Sequence, residues 1–132
     1  MLQGGCFCGA IRYEIIGTLR DARSCHCSLC RKIFSGAGSA YAELSADAEF
    51  RWISGRDTLK VYKTHENWGM AFCSNCGSTI CGMFNDNVHG LTLGSIDGDP
   101  GVEIEKHIFV GSKAPWDHIG GSAPQYAEHA EP

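Results

Sequence analysis

The chain has 132 residues, 43% of them hydrophobic and 20% charged, with a formal net charge of −4. That length predicts one domain with a core of its own, and no apolar run nears the roughly 18 residues of a membrane span. The acidic balance argues against a nucleic-acid surface, which shows as a basic domain. MLQGGCFCGA has neither a basic n-region nor an apolar h-region, so a cytoplasmic protein is expected.

Strand signals dominate the chain. AIRYEIIG (10–17) alternates, with Ile11, Tyr13 and Ile15 on one face. SLCRKIFSG (28–36) alone has helical potential, with a stop at Gly36. GAGSAYAEL (36–44) reads as a small-residue strand, and AEFRWISG (48–55) carries Phe50, Trp52 and Ser54 on one face. TLKVYKT (58–64) alternates less cleanly. GMAFCSNCGSTICGMF (69–84) predicts a hairpin whose turn holds Cys73 to Cys76. VHGLTLGSI (88–96) and EIEKHIFV (103–110) add short strands, and APQYAEHAEP is a polar tail that frays. The expected fold is mainly β, a single domain of short antiparallel strands over 1–120 with a tail over 121–132.

Eight cysteines without an export signal point to metal or redox chemistry rather than disulfides. Cys6 and Cys8 form C-x-C, Cys25, Cys27 and Cys30 form C-x-C-x-x-C, and Cys73 and Cys76 form C-x-x-C. In extended backbone, residues i and i+2 point the same way, so C-x-C can aim two thiolates at one ion. Keeping the clusters intact divides seven thiolates into two sites. Cys6, Cys8, Cys73 and Cys76 make a closed tetrathiolate site of the structural kind. Cys25, Cys27 and Cys30 make a three-ligand site with an exchangeable position, the catalytic kind. Zinc is the default ion for both, two per chain. The competing readings are a disulfide or buried thiols for the first set. For the second, the rival is a closed site completed by Cys81 or a histidine. Cys81 in TICGM otherwise reads as an inert buried thiol.

Three thiolates on zinc sum to −1, which weakens the ion as a generator of hydroxide. Such an ion suits a soft fourth ligand, a substrate thiol held as thiolate. The chemistry this favours is thiolate attack on a small aldehyde, or the reverse carbon–sulfur cleavage. Arg31 and Lys32 could balance charge or hold a substrate carboxylate, with a plain solvated pair as the alternative. His26, between two ligands, should point away from the metal. His107 reads as a structural histidine that could approach the site. Arg12 reads as paired or snorkelling, and Trp116 in KAPWDHI as a residue that could cover a pocket.

GGCFCGAIRYE, CHCSLCRK, FCSNCGS and HIFVGSKAPW, in that order over about residues 3 to 118, resemble the glutathione-dependent formaldehyde-activating enzymes, a family that includes centromere protein V. The resemblance implies a zinc-binding β-tent fold. It implies a structural zinc at Cys6, Cys8, Cys73 and Cys76 and a catalytic zinc at Cys25, Cys27 and Cys30. It implies a carbon–sulfur lyase that joins glutathione to formaldehyde; the expectation of no nucleic-acid and no membrane partner rests on the charge and the lack of an apolar span instead. ENWGMAFC lacks the arginine that many members carry shortly before FC.

Overall fold

The computed structural model describes residues 1–130. The fold is mainly β, with ten strands and one short α-helix among the described residues. Among the described residues no helix is long and apolar enough to cross a membrane. The residues cluster into two compact units. One is formed by Met1–Arg20 and Ala42–Val102, the other by Asp21–Tyr41 with the described residues from Glu103 on.

In the first unit, β1 (Leu2–Gly5), β2 (Arg12–Ile16) and β5 (Glu49–Ser54) form an antiparallel sheet in the order β1-β2-β5. The alternation of 10–17 sets its inner face, and Ile11, Tyr13 and Ile15 are all fully buried. Phe50 and Trp52 follow the same period across the pair. Tyr13 stacks on Phe50 at 5.3 Å between centroids, and Trp52 meets Phe50 edge-on at 4.7 Å. The Tyr13 hydroxyl is bonded to Ser95 Oγ at 2.7 Å, so its polar end is satisfied. Arg12 is paired, with Nη2 donating to Asp97 at 2.5 Å.

The second sheet of this unit is an antiparallel meander of β6 (Leu59–His65), β7 (Trp68–Cys73), β8 (Thr79–Phe84) and β9 (Asn87–Thr92). β4 (Tyr41–Leu44) follows β9 in the sheet order. Glycine permits two features here. Gly55 has φ +76, and a Cβ on it would lie 2.1 Å from the Ala10 carbonyl oxygen. Both the left-handed backbone and the contact with main chain exclude a side chain. Gly55→Ala is expected to cost at least about 2 kcal/mol in urea unfolding. A loss under about 0.5 kcal/mol would mean that the turn shifts freely.

The second unit holds residues 21–25 of β3 (Leu19–Cys25), α1 (Ser28–Phe34) and β10 (Lys106–Ile108). β10 pairs with β3 in parallel, His107 opposite Ser24, whereas the sequence pattern predicts antiparallel strands throughout. Asp21 anchors this pair through Lys106 at 2.5 Å and Arg23 at 3.0 Å. The expected strand over 103–110 shortens to three residues, and Phe109 takes a left-handed φ of +55. The expectation of a frayed tail over 123–132 is corrected for 124–128, and residues 131–132 lie outside the described residues. The segment from 124 to 128 runs beside β10, with His107 N–H donating to Pro124 O at 2.8 Å and Phe109 N–H to Glu128 O at 2.9 Å. Backbone pairing rather than apolar burial holds it, and hydropathy does not register that.

Candidate metal centres

The first centre grows from two chain reversals in the first unit. Cys6 and Cys8 lie in a turn closed by Gly9 N–H on Cys6 O at 3.1 Å, with Gly9 at φ +81. The C-x-C is therefore a turn, not the extended segment that simple alternation predicts. Cys73 ends β7, and Gly77 N–H closes the next turn on Cys73 O at 2.8 Å. The four sulfurs lie within 4.8 Å of one another. Cys6 Sγ is 3.5 Å from Cys8 Sγ, and Cys8 Sγ is 3.9 Å from Cys73 Sγ. A tetrahedron with metal–sulfur bonds of about 2.3 Å has edges of about 3.8 Å, so the set fits zinc. It does not fit a disulfide, whose sulfurs sit about 2.05 Å apart.

Donors surround these sulfurs. Ile11 N–H donates to Cys6 Sγ at 3.2 Å, Cys76 N–H to Cys73 Sγ at 3.4 Å and Asn75 Nδ2 to Cys8 Sγ at 3.3 Å. The Ser78 hydroxyl lies 3.2 Å from Cys76 Sγ and accepts from Phe7 N–H at 2.9 Å. Hydrogen bonds from Ser78 and nearby amides bring the Cys76 thiol down to about 5. Asn75 likewise lowers Cys8, while burial raises Cys73 to about 11. Four thiolates on one dication sum to −2, and these donors offset that excess. Asn75 and Ser78 carry this role without having been singled out. Their place inside FCSNCGS is the signal that could have found them.

The second centre lies in the second unit. Cys25 ends β3, Cys27 caps α1, and Cys30 sits in its first turn. Cys27 has extended backbone (φ −69, ψ 159), and its sulfur accepts from Cys30 N–H at 3.3 Å. It thus does the work of an N-cap side chain. Cys25 N–H donates to Ser39 Oγ at 2.8 Å, a support with no sequence signal. The three sulfurs lie within 4.8 Å of one another, and no fourth His, Cys, Asp or Glu joins them among the described residues. The hydrogen bond from Cys30 pulls the Cys25 thiol down to about 6, and Cys30 is raised by the same contact. Three adjacent thiolates repel, so a bound cation is what would let all three ionise. This donor set of three thiols fits zinc.

His26 lies between Cys25 and Cys27 and does not join the group of three sulfurs. It is buried, its Nε2 lies 2.9 Å from His107 Nδ1, and its Nδ1 lies 3.8 Å from Asp117 Oδ2. Burial lowers the His26 pKa. The pair ties His26, between Cys25 and Cys27, to β10. Cys81 joins neither cluster. It is fully buried beside Met83 Sδ at 3.7 Å, and burial raises its thiol to about 12. Trp116 is exposed and, with Ser28, Arg31, Lys32, Ser35 and Gly36, lines an open cavity of about 340 Å³ along α1.

A mainly β chain with two clusters of free thiols, one of four and one of three, belongs to the class of small cysteine-rich proteins that can hold metal. The sequence matches the family described as glutathione-dependent formaldehyde-activating enzyme over residues 1–112. The chain belongs to that family. A Halomonas elongata protein, provisionally named a glutathione-dependent formaldehyde-activating enzyme, is 30% identical over 131 residues, covering 90% of this chain and 81% of that one. The crystal structure of a Rhodobacter sphaeroides protein is similar with a TM-score of 0.55 and 30% identity, covering 77% of this chain and 96% of that one.

Proposed function

We propose that the chain is a carbon–sulfur lyase that adds a thiol such as glutathione to a small aldehyde such as formaldehyde, and runs the reverse cleavage. Cys25, Cys27 and Cys30 hold the catalytic zinc in this reading, and Cys6, Cys8, Cys73 and Cys76 hold a structural one. The carrying observation is the trio of sulfurs within 4.8 Å that no fourth ligating side chain joins among the described residues. When bound there, zinc supplies the positive charge that keeps a cosubstrate thiol deprotonated near neutral pH.

The chain's own residues supply the rest. Ser39 fixes the Cys25 amide, and the capping bond from Cys30 N–H fixes Cys27. The His26–His107 pair holds the intervening loop. The cosubstrate sulfur forms a bond to the aldehyde carbon while the carbonyl π pair moves to oxygen. That oxygen takes up one proton in place of the one the thiol gave up, and the product is a hemithioacetal, an S-hydroxymethyl thioether when the aldehyde is formaldehyde. Free cysteines throughout suit a reducing compartment, and the proposal places the enzyme in the cytoplasm.

Cobalt substitution tests the reading, because cobalt's visible absorption reports its ligands where zinc is silent. Titrating glutathione into the cobalt protein is expected to shift one of two sites from three sulfurs plus oxygen to four sulfurs. Two saturated four-ligand spectra that glutathione leaves unchanged would favour a binding module whose sites are both structural.

A further inference from the structure

The cavity along α1 brings two cations to one open surface. Arg31 and Lys32 are adjacent in the last turn of the helix, and both line the cavity. Six other cations of this acidic chain pair with carboxylates: Arg12 with Asp97, Arg20 with Glu43, Arg23 and Lys106 with Asp21, Arg51 with Glu14, and Lys63 with Asp86, while Arg56 lies over Trp52 and Lys113 donates to backbone carbonyls. Neither Arg31 nor Lys32 has a carboxylate partner among the described residues. Arg31 Nη2 donates to the Ser112 carbonyl at 3.3 Å, an uncharged acceptor. Its Nε is buried without a hydrogen-bond partner among the described residues. An arginine and a lysine that line one cavity, with no carboxylate of the described residues on either, form a receptor for a carboxylate. Ser28 and Ser35 add hydroxyls, and the exposed Trp116 adds an apolar wall. A volume of about 340 Å³ is within the range of small-molecule sites, about 300–1,000 Å³.

Position gives the cavity a use. Ser28 lies between Cys27 and Cys30, and Arg31 follows Cys30 directly. A ligand carboxylate here is bound by the same seven-residue helix whose N-cap and first turn carry two of the three sulfurs. We infer that this cavity selects the cosubstrate thiol by its carboxylate, with Arg31 and Lys32 as the specificity-determining residues. This rests on the thiol-addition reading and deepens it. Thiols bearing carboxylates are the preferred class, and neutral thiols of similar reactivity are poor substrates.

The test separates binding from chemistry. S-methylglutathione keeps both carboxylates but has no free thiol, so its affinity does not depend on thiolate formation. Calorimetry on the zinc-loaded 132-residue chain is expected to show binding that weakens at least about tenfold in the Arg31→Gln, Lys32→Gln double variant, the scale of a lost charge-assisted hydrogen bond. The diethyl ester of the same ligand should bind the unaltered protein at least tenfold more weakly, a comparison that needs no variant. In turnover, the ratio of kcat/KM for glutathione over 2-mercaptoethanol should fall at least tenfold in the double variant. The inference is overturned if S-methylglutathione does not bind, if the ester binds as tightly as the acid, or if the variant matches the unaltered protein. If the calorimetric pattern holds but no thiol is turned over, the carboxylate site stands and the carbon–sulfur chemistry is what fails.

Discussion

Cys73→Ser is expected to leave the first unit unfolded at room temperature, and chelating the metal from the unaltered protein should do the same. Cys73 is fully buried at the end of β7, and its sulfur faces Cys8 across 65 positions of sequence. Closing a loop of that length constrains the unfolded chain by about 4 kcal/mol on the relation used for disulfides. Structural zinc contributes more again, about 10–16 kcal/mol of apparent binding free energy in small zinc domains. That matches or exceeds the whole net stability of a typical domain, about 5–15 kcal/mol. The measurement is a thermal melt followed by circular dichroism, with and without a chelator. A variant that melts within a few degrees of the unaltered protein, indifferent to zinc, would reduce the centre to ordinary buried thiols.

Cys27→Ala should abolish thiol addition while the protein stays folded and keeps one zinc of two. The expected loss in kcat/KM exceeds the roughly 100-fold typical of removing a group that merely supports a metal ligand. Alanine also deletes the cap of α1, which costs about 1 kcal/mol, so Cys27→Ser is the companion variant. Serine retains a capping acceptor but not a soft thiolate. If both variants lose activity together, the sulfur and not the cap carries the effect. Full activity in either one, on a confirmed thiol and aldehyde, would remove Cys27 from the chemistry.

Both centres were legible because cysteine spacing is chemical information that packing does not blur. The division into four and three rests on which clusters stay whole, and the folded chain brings together those two sets. The hairpin around Cys73–Cys76 and the aromatic face of Tyr13, Phe50 and Trp52 were legible for a different reason, since strict alternation survives where one face is buried. β1 and β3 escaped notice. β1 is built on LQGG, which has no alternating apolar pattern, and Gly4 has the Ser95 carbonyl and the Tyr13 ring so close that no Cβ could fit. β3, LRDARSC, buries only Leu19, Ala22 and Cys25, a spacing of three that suits no strand template. Ion pairs and backbone bonds hold it, and neither leaves a hydropathy trace. The cavity of Arg31, Lys32 and Trp116 joins residues 84 positions apart (116 − 32 = 84), a separation that local patterns do not span.

The parallel pairing of β3 with β10 has a consequence for the order in which the molecule can be built. The meander β6 to β9 joins neighbours in sequence and can zip up as soon as its turns form. The three-thiol loop begins at Cys25, whose strand finds its parallel partner only at residues 106–108. During synthesis those sulfurs emerge early and then wait through some eighty residues for the segment that fixes His26. A nascent chain therefore spends most of its making with the three-thiol loop held only by its local bonds to Ser39 and within α1. The four-sulfur set needs only the chain up to Cys76, so it can be complete well before His26 meets His107.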